Sequence, residues 1–156
     1  MIVYVVDTCV MRELMFHIRR SVFPDIWEKF EFMIASGHVI FARESIKELE
    51  LQFSYNGEAM MWLKAHRNYF LPPSNEEAMI VSQIYSVRNF QNNVALKSIL
   101  EGRPVADAFI VAKAKALGAT VVTREKFTTN AARIPNICEY LDVDYIDDEA
   151  FQLLLR

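Results

Sequence analysis

Asp107 and Glu125 bracket a stretch that reads as a helix, a glycine stop at Gly118 and a buried strand over 120–123. A helix that passes through a tight turn into a strand runs antiparallel to it. The start of the helix and the end of the strand then share one edge of the sheet. Asp107, in the first helical turn, and Glu125, just past the strand, are therefore expected to be neighbours. Two carboxylates at the C-terminal edge of a parallel sheet are a candidate metal site, at the edge where α/β folds place ligands.

Two further acids could join them. Asp7 ends the apolar run 2–6, which reads as a buried central strand, and it also suits the N-cap of a helix starting near Cys9. Both roles are compatible, because a capping carboxylate can also be a ligand. A helix over about 44–53 carries Glu44, Glu48 and Glu50. Glu44 and Glu48 share a face, being four apart, and Glu50 points elsewhere. The pattern alone leaves the choice between Glu44 and Glu48 open.

Each acid has a plainer role to compete with. An acid at a helix start, such as Asp107, is favourable against the helix dipole whatever its function. Its small neighbours Ala106 and Ala108, however, leave room for a ligand. Glu125 is flanked by Arg124 and Lys126, either of which could pair with it. The run Asp142, Asp144, Asp147, Asp148 and Glu149 reads as a solvated turn and helix cap, since alternation about a strand sends those carboxylates in different directions.

Other chemistries are disfavoured. His17, His38 and His66 fit no metal-ligand spacing. With four glycines and no GxSxG, GxGxxG or phosphate loop, serine hydrolase, dinucleotide and P-loop readings fall away. Cys9 near a helix N-terminus could be an activated thiol, but no histidine is placed beside it, and it reads as a small, partly buried residue. Cys9 and Cys138 give no disulfide framework, which suits a reducing cytoplasm. The acid at position 7 interrupts the opening apolar run too early for a signal peptide or membrane span.

The elements that must position the acids follow from patterning. Helices are expected at 9–19, from Pro24 to about Gly37, at 44–53, at 58–68, from Ser74 to about Phe90, from Asp107, at 136–141, and after Asp147. Ser74 with Glu77 forms a capping box. Strands are expected at 2–6, 38–41, 120–123 and 143–146, with loops at 91–93 and 102–104. With 156 residues, 53% of them hydrophobic, the chain can build one core as a single domain over 1–156. The alternation predicts a three-layer α/β/α sandwich with a mainly parallel sheet. No strand is expected between 58 and 93, which reads as a helical insertion over one sheet edge.

Taken together, these motifs resemble the PIN-domain ribonucleases. They are Asp7-Thr8 after the opening strand, Ile46-x-Glu48-Leu49 after the second, Asp107 opening a helix, and Leu117 to Thr123 ending at an acid. The resemblance runs from Met1 to about Ile146, and the ending at 134–139 is most similar to a prokaryotic branch of PIN-like toxins. It implies that Asp7, Glu48, Asp107 and Glu125 are catalytic acids that bind Mg²⁺ or Mn²⁺, which selects Glu48 over Glu44. Thr8 and Thr123 match supporting polar positions. Cys9 stands where many members have Asn or Ser, and Glu125 stands where many have Asp.

Oxygen ligands without His or Cys suit Mg²⁺ or Mn²⁺ better than Zn²⁺. The resulting expectation is a metal-dependent ribonuclease, with a catalytically decayed binding scaffold as the alternative from another class and a small-substrate phosphatase as a third. The net charge of −3 does not exclude RNA, since setting aside four acids at a metal leaves +1. Arg12, Arg103, Arg124, Lys126, Lys64 and Arg67 are candidate backbone contacts. The resemblance further implies an antitoxin partner and makes a homodimer plausible. Met60, Met61, Trp62 and Phe70 could line such an interface or belong to the core.

Overall fold

The computed structural model describes residues 1–92 and 105–156. The expected loop at 102–104, with Arg103, and the last residue of the one at 91–93 lie outside the described residues. Five strands form one sheet in the order β3-β2-β1-β4-β5, and every pairing is parallel. They are β1 (Tyr4–Val6), β2 (Val39–Ala42), β3 (Phe70–Leu71), β4 (Thr120–Val122) and β5 (Tyr145–Ile146). The opening strand is thus central, as its unbroken apolar sequence requires. Val5 pairs with Ile40 on one side and Val121 on the other.

Successive side chains of these strands enter two different cores. Val6, Val39, Phe41 and Val122 face helices α1 (Thr8–His17), α2 (Pro24–Ala35), α3 (Ser45–Phe53) and α4 (Gly57–His66). Phe30 is the hub of this side; its ring meets Trp27, Phe41, Trp62 and Phe151. Val5, Ala42 and Val121 face α5 (Asn75–Ser86), α6 (Asp107–Leu117) and α7 (Ile134–Leu141). The last helix, α8 (Asp148–Leu154), returns to the first side through Phe151. This is the three-layer α/β/α sandwich expected from the alternation.

Caps fix where helices begin. Asn56 accepts from Ala59 N, and Asp147 accepts from Ala150 N. Ser74 and Glu77 form the expected reciprocal capping box. Gly118 ends α6 at a φ of 65°, a conformation that favours glycine, and so turns the chain directly into β4.

The inserted segment departs from expectation. Phe70–Leu71 forms a strand at the edge of the sheet, pairing with Phe41 and Ala42. Two residues are too few for any periodicity, and Pro72-Pro73 stops the strand from growing. The Phe70 ring stacks on Phe41 at 4.5 Å, which is what holds it there. Trp62 and Phe70 are core, whereas Met61 is 73% exposed. The helix begun at Ser74 breaks at Val87, which is extended, and residues 88–92 are helical again. Gln91, expected in a loop, uses its side-chain amide to donate to Tyr85 O, a carbonyl in the last turn before the break.

One buried ion pair joins two helices of the second core. Lys113 Nζ on α6 lies 2.7 Å from Glu77 Oε1 on α5, and both side chains are almost fully enclosed. Lys113 also donates to Pro72 O at 3.4 Å.

Candidate active site

Three acids are buried at the C-terminal edge of the sheet: Asp7, Glu48 and Asp107, at 3%, 5% and 2% exposure. Each arrives from a different element. Asp7 follows β1 and caps α1, its Oδ1 accepting from Thr8 N at 2.7 Å. Glu48 lies in the first turn of α3, which follows β2. Asp107 is the first residue of α6.

Hydrogen bonds tie this edge together. The Thr8 hydroxyl donates to Glu48 Oε2 at 2.9 Å, while Asp7 Oδ1 stands 3.3 Å away. A hydroxyl has one proton, so the shorter contact to Glu48 takes it. Thr123 at the end of β4 donates from its hydroxyl to Asp7 Oδ2 at 2.9 Å and accepts from Glu125 N at 3.1 Å. Glu48 Oε1 accepts from Ala106 N at 3.3 Å, which brings Glu48 beside the start of α6 and hence beside Asp107. Glu44, the other acid on the same helix face, turns to the Arg43 guanidinium instead.

Cys9 completes the setting of Asp7. Its Sγ donates to Asp7 Oδ2 at 2.9 Å and accepts from Arg124 N at 3.4 Å. Burial, followed by the neighbouring Asp7 charge, pushes the thiol well above its ordinary range. The thiol therefore stays protonated and acts as a donor, which argues against an activated nucleophile. The sequence placed Cys9 near a helix start but gave it no role. Its position two residues beyond a capping acid was the available signal.

Glu125 has a second engagement. Its Oε2 accepts from Ile134 N at 2.8 Å, at the start of α7, where Arg133 supplies no side-chain cap. A carboxylate there is favoured by the helix dipole. Its backbone is bonded to Thr123, so it does sit at the expected edge. Arg124 is taken up by Glu13 at 3.0 Å and Asp148 at 3.1 Å.

The donor set fits a hard divalent cation by its chemistry: buried carboxylates held by neutral hydroxyl, thiol and amide donors. Among the described residues, no three acids, histidines or cysteines stand in coordinating positions.

A central parallel strand flanked on both sides, with buried acids at its C-terminal edge, defines a PIN-like α/β/α fold. The crystal structure of FitAcB from Neisseria gonorrhoeae shares it, with a TM-score of 0.54 and 20% sequence identity over 94% of this chain and 98% of that one. The chain belongs to the family DUF4411, described as a domain of unknown function, whose match spans residues 4–155. No curated protein matches it.

Proposed function

We propose that the chain is a divalent-metal-dependent ribonuclease of the PIN type, acting as the toxin of a toxin–antitoxin pair. The observation that carries the reading is the joining of Asp7 and Glu48 through Thr8, whose backbone N–H holds Asp7 and whose hydroxyl holds Glu48, with Glu48 bonded next to Asp107. Asp7, Glu48 and Asp107 would hold Mg²⁺ or Mn²⁺. When bound, such an ion lowers the pKa of a water and offsets charge on a phosphodiester. Thr123 and Cys9 fix the Asp7 carboxylate from one side, and Thr8 fixes Glu48. Glu125 would join as a fourth ligand by releasing Ile134 N. The likeness to FitAcB supports the fold that this reading needs. The antitoxin partner rests on the resemblance of the motifs to PIN-like toxins.

The test is cleavage of RNA with Mn²⁺ or Mg²⁺ by the parent, Asp7→Asn and Asp107→Asn. Asparagine variants that cleave as well as the parent would sink the reading.

One observation supports a second reading, in which the edge is a binding scaffold without catalysis: among the described residues no three such side chains stand in coordinating positions. Titration calorimetry separates the two, since a scaffold of this kind takes up no Mn²⁺ at millimolar concentration.

A further inference from the structure

A cationic groove opens on the same sheet edge as the acids. It has a volume of about 470 Å³ and is lined by Arg43, Glu44, Ile46, Lys47, Arg67 and Val105. Three different elements supply the cations. Arg43 follows β2, its backbone N bonded to Leu71 O at 3.0 Å; Lys47 lies on α3; Arg67 opens the short 3₁₀ turn Arg67–Tyr69. Ile46 is two residues before Glu48, and Val105 precedes Ala106, whose N–H holds Glu48. The segments that supply the groove thus also carry Glu48 and the amide that holds it.

The cations are held but not consumed. Glu44 Oε2 takes the Arg43 Nε and one Nη, at 3.2 and 3.0 Å, and leaves the Arg43 side chain 56% exposed. Arg67 meets Glu50 at 3.1 Å and stays 58% exposed. By contrast, Arg124 is spent on Glu13 and Asp148, and Lys113 on Glu77. A guanidinium with free N–H groups, oriented by one carboxylate, suits a phosphate. Ile46 and Val105 add an apolar wall, which suits a sugar or base. The volume is that of a small-ligand pocket and matches a nucleotide rather than a duplex.

We propose that Arg43, Lys47 and Arg67 bind the backbone of an unpaired RNA strand at the nucleotides flanking the cleaved bond. This rests on the ribonuclease reading for its geometry of cleavage, but its test reads binding alone. A fluorescent unpaired RNA oligonucleotide is titrated with the protein in EDTA at several salt concentrations. For single strands each lost phosphate contact reduces the slope of log K against log salt by about 0.7. The variant Arg43→Gln/Lys47→Gln/Arg67→Gln should lose affinity at least tenfold at low salt, with a slope smaller by roughly 2. Lys29→Gln/Arg88→Gln/Arg156→Gln removes the same charge elsewhere and should bind like the parent.

A groove variant with the parent's affinity and slope overturns the proposal, as does an equal loss in both triple variants. An RNA duplex bound as tightly as the unpaired strand overturns its single-stranded part. A DNA strand of the same sequence whose binding depends on the groove while that of RNA does not overturns the assignment to RNA. Failure of cleavage in Mn²⁺ would count against the ribonuclease reading and leave these binding results to stand or fall alone.

Discussion

Thr8 and Glu48, forty positions apart, are joined by a hydrogen bond of 2.9 Å beneath the C-terminal edge of the sheet. The hydroxyl comes from the first residue of α1 and the carboxylate from the first turn of α3. Thr8→Val keeps the shape and removes the donor. A buried acceptor left without its partner costs about 1–3 kcal/mol. Urea unfolding should show that loss for Thr8→Val and much less for Thr8→Ser. A valine variant as stable as the parent would mean the bond contributes nothing.

Glu125 offers a sharper comparison. Its carboxylate bonds Ile134 N, and a glutamine side chain keeps an oxygen that can accept the same N–H. Glu125→Gln should retain stability within about 1 kcal/mol, the scale of a charge at a helix terminus. In cleavage assays it should lose less than Asp107→Asn does. If the two variants lose activity equally, Glu125 matters to the proposed site as much as Asp107 does and its bond to Ile134 N is secondary.

The Lys113–Glu77 pair predicts a non-additive result. Removing one buried partner strands the other charge, at a cost of about 3–5 kcal/mol. Lys113→Met and Glu77→Leu should each destabilise by that order, while the double variant recovers most of it. Denaturant midpoints for the four proteins give the coupling directly. Additive losses would show that the two charges do not act as a pair.

Alkaline stability should reflect the two thiols. Burial, above all, raises both Cys9 and Cys138 from their ordinary value of 9.0. Above that value the unfolded chain releases protons that the folded chain keeps. The stability contribution is therefore complete below pH 9 and lost as pH rises, by up to about 1.4 kcal/mol per pH unit for each thiol. Cys9→Ser/Cys138→Ala should flatten the decline measured by chemical denaturation between pH 9 and 10.5. A slope unchanged in that variant would assign the loss to other groups.

The sandwich and its central strand were legible because long apolar runs and caps carry them. The run ending at Val6, the Ser74 capping box and the stop at Gly118 all behave as their residue types dictate. Strand β3 was not legible, since a two-residue strand before two prolines carries no periodicity and is held by tertiary contacts, its pairing with β2 and the Phe70–Phe41 stack. At the site, the spacing located Asp7 and Asp107 at one edge, but the Ile46-x-Glu48-Leu49 match was needed to prefer Glu48 to Glu44. Cys9 and the Glu125 bond to Ile134 depend on side-chain directions that one-dimensional spacing does not encode. Lys113 looked like any lysine on a helix until its partner arrived from α5.

Asp7 receives the Thr123 hydroxyl from 116 positions further along the chain. A ribosome adds about 5–20 residues per second. The first half of this bond therefore waits on the order of ten seconds for the second to be synthesised. Throughout that interval the Asp7 carboxylate lacks one of the donors that hold it at the edge. The order of strands thus fixes when the setting of Asp7 is completed: only once β4 and Thr123 have been translated.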